Sequence, residues 1–582
     1  MTRFKHPHRT PYLLVLLTIL FLGILASAQE PEGAKLGVWT KEASQQWWAD
    51  NPEPPEWFAM IEKMNVTLRD AHVVHGLSAM ISNSHWTGWM IHTRWLTLCP
   101  ENWEVHPFFS SPENRAIFVS LGKNEDLRDQ FLAALSPDDD AHEAVTILCR
   151  IAQAHPEDFV EFSALAVAFA VVHDQPIPES WPHPFVEGAK VASGDLDPVN
   201  RFEFYVKCQR NKLLLHDLRR ITVRNLTFLV DTTLEFKELG YAQQIRLSSP
   251  SKLKDLYTAV PYNMSRISGQ RYIWPGATYR LIDIGKQGGI CMDQAFFVSQ
   301  TGKAKGVPTL MFTGQGVSGE HAWVGYFNSS GRWDMDVAKF RSENYPTGQA
   351  YDPQTWQLIS DAELAGLIHG LSGQAGFGRG QKLLQWAALN KGGEFYGEIL
   401  KLARQSMAQD PRPWRLEADF LEEADTPPEQ LLAFYQEWVR NFAQNADLLV
   451  KGQMRLIAIV EEMGKTDLAE RLRGEVMSRN KSKRFDLGIA IAAEPVFRNL
   501  RKRQYEVAES AFETAMRRFR SQAGGHLFHN LYQPYILTCL QEGQNQLAED
   551  ALQFAKDFDA VGGSILDNEI KALSNRVQRA RK

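Results

Sequence analysis

Three residues in the middle of the chain supply the parts of an acyl-transfer site: Cys291 a nucleophile, His321 a base, and Asp336 a carboxylate to orient the base. A thiol attacks as its thiolate, a neighbouring imidazole takes the proton, and a third group fixes the tautomer of the ring. Taken singly, a cysteine is more often a small buried hydrophobe and a histidine a satisfied core residue. Their order and spacing between positions 291 and 336 is what points to chemistry.

Local elements must place these groups. Cys291 follows Gly288-Gly289-Ile290 and opens the apolar run Ala295-Phe296-Phe297-Val298, which Gly306 and then Pro308 bring to a stop. The pattern predicts a helix of about four turns with Cys291 at or near its N-terminus. The dipole and free N–H groups there favour a thiolate and can form an oxyanion hole. The two glycines let the backbone approach a substrate carbonyl. Val307 to Thr313 predicts one strand and His321 to Phe327 a second; Asn328 to Gly331 is turn chemistry, and Arg332 to Ala338 the return strand. With Phe327 taken opposite Arg332, His321 faces Ala338, and Asp336 becomes its diagonal neighbour on the same face. Asp334 lies two residues further away. That register is an assumption, and a slip by one residue moves every side chain to the other face.

These stretches resemble the transglutaminase-like superfamily, a branch of the papain-like cysteine enzymes. The matching motifs are Gly289-Ile-Cys291 with Ala295, Gly306-Val-Pro308, and His321-Ala-Trp323, over roughly residues 255–345. Trp333 to Asp336 is one residue shorter than the commonest family spacing. The Gly288-Gly-x-Cys291 start is also similar to that of arylamine N-acetyltransferases, which share the core fold. The resemblance implies that Cys291 attacks an amide or ester carbonyl to form a thioester. His321 activates the thiol and protonates the leaving group, while Asp336 holds the ring tautomer. Water then gives hydrolysis, or an amine gives transamidation. No metal and no cofactor is implied. By analogy with the papain-like glutamine, Gln287 is a candidate oxyanion donor, although it stands close to the cysteine in sequence.

The rest of the chain sets the context. A length of 582 residues accommodates three or four domains. With 44% hydrophobic and 23% charged residues it has globular composition, and a net charge of −6 gives no reason to expect nucleic acid or an anionic membrane as partner. Residues 1–28 read as a signal peptide: Arg3, Lys5 and Arg9 precede an apolar run from Tyr12 to Ala26, and Ala26-Ser27-Ala28 fits a cleavage site. The run is shorter than the ~20 residues of a membrane span. An exported protein, periplasmic or secreted and without a membrane span after cleavage, is therefore expected. The five cysteines, Cys99, Cys149, Cys208, Cys291 and Cys539, show no zinc spacing, and their odd number flags a free thiol.

The expected fold class is α+β: a papain/transglutaminase-like core over 226–360, flanked by a mostly helical N-terminal region over 29–225 and an α-solenoid-like helical repeat region over 361–582. Helical spacing marks 126–136, 142–154 and 158–172. Ser136-Pro137-Asp138-Asp139-Asp140 reads as a helix start capped by Ser136. Eight of the 16 tryptophans lie between Trp39 and Trp103, a pattern expected of a core, and His72, His75, His85 and His92 among them lack metal-ligand spacing. Thr222 to Val230 is rich in strand formers. Gly464-Lys-Thr-Asp-Leu-Ala-Glu470 recurs as Gly543-Gln-Asn-Gln-Leu-Ala-Glu549, with Arg503-Gln-Tyr-Glu-Val-Ala-Glu509 between them. Leu468, Val507 and Leu547 thus recur at 39 and 40 residues, a period of stacked helix pairs loosely resembling tetratricopeptide repeats over roughly 426–575. Two functions follow as expectations. One is an exported thiol enzyme with a protein or peptide substrate, its repeats open to a protein partner. The other is a non-catalytic binding or assembly protein that keeps the core as a scaffold.

Overall fold

The computed structural model describes residues 39–187, 190–191, 196–269, 271–316, 319–340, 345–369, 376–480, 483–520, 524–558, 562 and 564–580. The expected signal peptide lies outside the described residues. The chain divides into two compact units, the first ending at Thr97 and the second running from Leu98.

The first unit is helical: Lys41–Asp50, Pro54–His75, Leu77–Ser82 and Ser84–Leu96. Trp48, Trp57, Trp89 and Trp95 are buried in it. The His92 ring is enclosed by Trp39, Trp47, Trp48 and Trp89, with centroids 4.6 to 5.8 Å away. The tryptophans of this unit therefore make a core rather than an open stacking surface.

The second unit is α+β. One five-stranded antiparallel sheet, β1 Thr309–Gln315, β2 Glu320–Phe327, β3 Trp333–Val337, β4 Gln349–Tyr351 and β5 Leu358–Ser360, has the order β3-β2-β1-β4-β5. The rest is mostly helix. The Trp323 indole fills the space above Gly314 and Gly348, where a Cβ would stand 2.6 and 2.4 Å from the ring, so the sheet closes over it. Among the described residues no helix is long and apolar enough to cross a membrane.

Several local expectations change. Thr222 to Val230 is not a strand: Thr222 caps a helix, Val223–Val230, whose Leu226, Phe228, Leu229 and Val230 are buried. A continuous apolar run does not distinguish a buried helix from a strand, and packing against the helix Ser163–Val172 decides it. Ser136 is not the cap of the next helix. Asp140 is, its carboxylate accepting from the N–H groups of His142 and Glu143 at 3.1 Å ahead of Ala141–Ala154. The segment 158–172 breaks at Phe162 into Pro156–Glu161 and Ser163–Val172.

In the C-terminal half, helices pair across tight turns. Each repeated motif opens on a residue in the left-handed region, Gly464 at φ 74°, Arg503 at φ 58° and Gly543 at φ 71°. Each of these turns leads into a helix: Thr466–Asn480, Tyr505–Phe519 and Asn545–Ala551. The residue that every repeat buries is the alanine, Ala469, Ala508 and Ala548, each 0% exposed. The preceding apolar position is less uniform: Val507 is 54% exposed, whereas Leu468 and Leu547 are half-buried and pack on the neighbouring apolar clusters. Close helix approach requires the small residue, so the alanine carries the repeat.

Candidate active site

Cys291 is the first residue of a 14-residue helix, Cys291–Ala304. The approach to it is tightly built. Gly288 has φ 70°, and a Cβ there would stand 2.2 Å from the Pro261 carbonyl oxygen. Gly289 donates its N–H to Pro261 O and accepts from Asn263 N, both at 2.9 Å. A Cβ on Gly289 would fall 2.3 Å from the Asp293 side chain. Both glycines are thus required by close approach.

Asp293 organises this helix start. Its Oδ2 accepts from Ile290 N at 2.8 Å and from Arg266 Nη1 at 2.5 Å, and its Oδ1 from the Tyr279 hydroxyl at 2.8 Å. His183 Nδ1 accepts from Phe185 N, so Nε2 carries the hydrogen and donates it to the Tyr279 oxygen at 2.9 Å. Every one of these polar groups is buried and satisfied by another, which fixes the helix start in one position.

The helix packs on β2. The Tyr257 hydroxyl lies 2.7 Å from the Ala322 carbonyl oxygen and 3.3 Å from that of Cys291. It therefore ties the peptide of Cys291 to the residue after His321. Cys291 is 8% exposed. Burial pushes its pKa up to about 12, against the pull of the Ala322 and Met292 backbone amides, with Glu320 and Asp293 adding to the rise. Gln287, the last residue of the helix Leu281–Gln287, is exposed and separated from Cys291 by the Gly288 turn.

His321 is the second residue of β2, paired across β1 with Gly314. Its ring stacks on Phe340 at 4.4 Å and lies 6.4 Å from the Tyr257 ring. The β2–β3 register differs from the expected one. Phe327 pairs with Trp333 rather than Arg332, and Tyr326 with Asp334. A bulge then sets both Met335 and Asp336 against Gly325, so that Val324 pairs with Val337. Asp336 is turned outward by this detour; its side chain is 72% exposed and 3.6 Å from Lys339 Nζ. Asp334 pairs with Lys254 at 2.9 Å.

The atom against His321 Nε2 is the Ala338 carbonyl oxygen, at 2.8 Å. A carbonyl only accepts, so Nε2 carries the hydrogen and Nδ1 is the lone-pair nitrogen. Ala338 has φ 65°, a left-handed turn that directs this oxygen at the ring. Cys291 and His321 thus each stand near Tyr257, while Asp336 lies at the surface. Tyr257, Arg266, Tyr279 and Asp293 were not singled out from the sequence. The one available signal was Asp293 in the third position of the helix, where an acid reaches back to a free N–H.

All five cysteines are free and buried, so the odd count does not single out Cys291. Burial also pushes Cys99 up to about 12 and Cys539 to about 11. Among the described residues no group of three or more His, Cys, Asp or Glu side chains is arranged to hold a metal ion. In comparisons with protein-family models, curated proteins and solved structures, nothing matches the chain.

Proposed function

We propose that the chain is a thiol acyl-transfer enzyme of the transglutaminase-like type with a papain-like core, acting on an amide of a protein or peptide. The observation that carries this is the convergence on Tyr257 and Ala322: a cysteine at a helix start, with its thiol against the backbone amide of the residue that follows a tautomer-fixed histidine. His321 Nδ1 takes the thiol proton as Cys291 Sγ bonds to the carbonyl carbon. The same proton passes to the leaving amine as the C–N bond breaks, leaving a thioester. Water or a second amine then releases the acyl group. The N–H of Cys291, in the first helical turn, has no acceptor within the helix and supplies an oxyanion donor. The Ala338 carbonyl takes the orienting place that the sequence assigns to Asp336.

Export to the periplasm or medium belongs to the same proposal, on the strength of the leader-like residues 1–28. So does a protein partner on the stacked C-terminal helices. A second reading, a binding protein with a silent core, is favoured by the burial of Cys291, which pushes its thiol pKa up.

The pH profile of iodoacetamide alkylation at Cys291, mapped by mass spectrometry, separates the two. A buried thiol reacts from an opened state, so burial scales the whole profile without changing its shape. An imidazole-assisted thiol gives an inflection between about pH 6 and 7, abolished in His321→Ala. A rate that climbs tenfold per pH unit in both proteins sinks the enzyme reading.

A further inference from the structure

We propose that the C-terminal segment is a built-in cover on Cys291, with the helix Ile565–Ala580 and the stretch Gly524–Tyr532 holding the tip of the β1–β2 hairpin closed over the nucleophile. This gives a regulation to the site proposed above and takes its meaning from that reading.

The contacts run along the hairpin tip. The tip itself is closed by Gly316 N donating to Gly319 O at 2.8 Å. His526 Nε2 donates to Gln315 O at 2.7 Å. Gly525 lies so close that a Cβ on it would stand 2.9 Å from Gly316 O and 3.5 Å from Gly319 Cα. On the other side of the tip, a Cβ on Gly319 would be 3.4 Å from the Ile565 Cβ. Ile565 packs against the apolar cluster that contains Cys291, Tyr257 and Ala322. Glycines at 316, 319 and 525 allow main chain to meet main chain here.

The first turns of Ile565–Ala580 reach both walls of the nucleophile's surroundings. Glu569 acts on Tyr272, which packs on the Cys291 cluster from the Arg266 side, and on Glu320, the residue before His321. Its carboxylate is held by His529 Nε2 at 3.1 Å. His529 stands in Phe528–Tyr532, a π-helical turn, the kind of irregularity that re-aims a side chain. Glu320 in turn acts on Cys291. The start of this helix therefore sits both against the apolar cluster that holds Cys291 and beside the tip of the hairpin whose second strand carries His321, and Cys291 is 8% exposed. A peptide bond reaches the thiol only when this segment lifts.

The test is the iodoacetamide rate at Cys291 in the full chain at pH 6, below the ordinary histidine value so that the His529–Glu569 contact is intact, in wild type, Ile565→Glu and Glu569→Gln, with Cys99 and Cys149 as internal references. Ile565→Glu places a charge against the apolar cluster, and Cys291 should react at least tenfold faster while the two reference thiols keep their wild-type rates. Glu569→Gln is isosteric, keeps the fold, and should give about a threefold rise on the same pattern. An unchanged Cys291 rate in both variants overturns the cover. So does a rise shared equally by Cys99 and Cys149, because that reports general loosening. Failure of the enzyme reading shows elsewhere, in the shape of the pH profile of an uncovered variant rather than in the ratio of its rate to wild type.

Discussion

Arg266 and Asp293 meet as a buried ion pair at 2.5 Å, with side chains 6% and 0% exposed, two positions into the helix that begins with Cys291. Charge this deep is tolerated because Arg266 also donates to the carbonyls of Arg271 and Tyr272, and Asp293 accepts from Ile290 and Tyr279. Removing one partner leaves the other unpaired. Arg266→Met should therefore cost about 3–5 kcal/mol in urea denaturation, and Asp293→Leu combined with it should recover part of that loss. A single-variant cost under about 1 kcal/mol would mean that the remaining hydrogen bonds suffice.

Gly288→Ala should be among the most damaging small changes near the site. The left-handed φ and the 2.2 Å approach to Pro261 O act together, and one of the two must give. The expected loss is about 1–3 kcal/mol, read as a lowered thermal midpoint. Gly392→Ala is the control: it has φ 77° with nothing near its Cβ, and isolates the backbone part of the effect.

Asp336→Ala should leave the alkylation profile of Cys291 within about twofold of wild type, because its carboxylate is exposed and turned away by the bulge. His321→Gln should remove the inflection. If Asp336→Ala alters the profile as strongly as His321→Gln, the carbonyl of Ala338 is not the orienting group.

The cover should loosen as pH rises. Burial alone would lower the pKa of His529, but the hydrogen bond and charge of Glu569, and then Glu320, raise it on balance. The groups facing it are Glu569 on Ile565–Ala580, Glu320 on β2, Gln533 one turn on and His526 one turn back, with Asp486 and Arg484 behind His526. A raised folded pKa contributes stability that is complete below the ordinary value of about 6.5 and lost as pH rises through the folded value. Beyond it, two carboxylates face each other without the cation. Hydrogen-exchange protection across residues 565–580 should fall with rising pH in wild type and become nearly pH-independent in Glu569→Gln.

In the repeats, Ala508→Leu should cost about 1–3 kcal/mol by overpacking, and Val507→Leu should be close to neutral. Ala508 is fully buried and Val507 mostly exposed. Equal costs in urea denaturation would place the helix one position out of phase.

What the sequence made legible was local. The Cys291 helix, its stop at Gly306 and the β2–β3 hairpin each follow from neighbouring residues. The period of the repeats was readable, but which residue it buries was not, because apolar character and small size mark adjacent positions and only helix contact chooses between them. The one-residue slip that pairs Phe327 with Trp333 and the bulge in β3 have no composition signal, and together they undo the register in which Asp336 stood diagonal to His321. The strands β4 and β5 are three residues each, too short for alternation to register. Arg266 and Asp293 are linked by topology, as are Glu320 and Glu569. No spacing rule connects such pairs.

The main-chain oxygen of Ala338 has a consequence for heredity. A carboxylate that sets an imidazole tautomer is lost by one codon change, whereas a carbonyl is supplied by all twenty amino acids. What must be inherited at this point is the bend of the strand, not the identity of a side chain. Relatives of this chain can therefore differ freely at 336 and still protonate the same nitrogen, so that a search for a matching acid would pass them over.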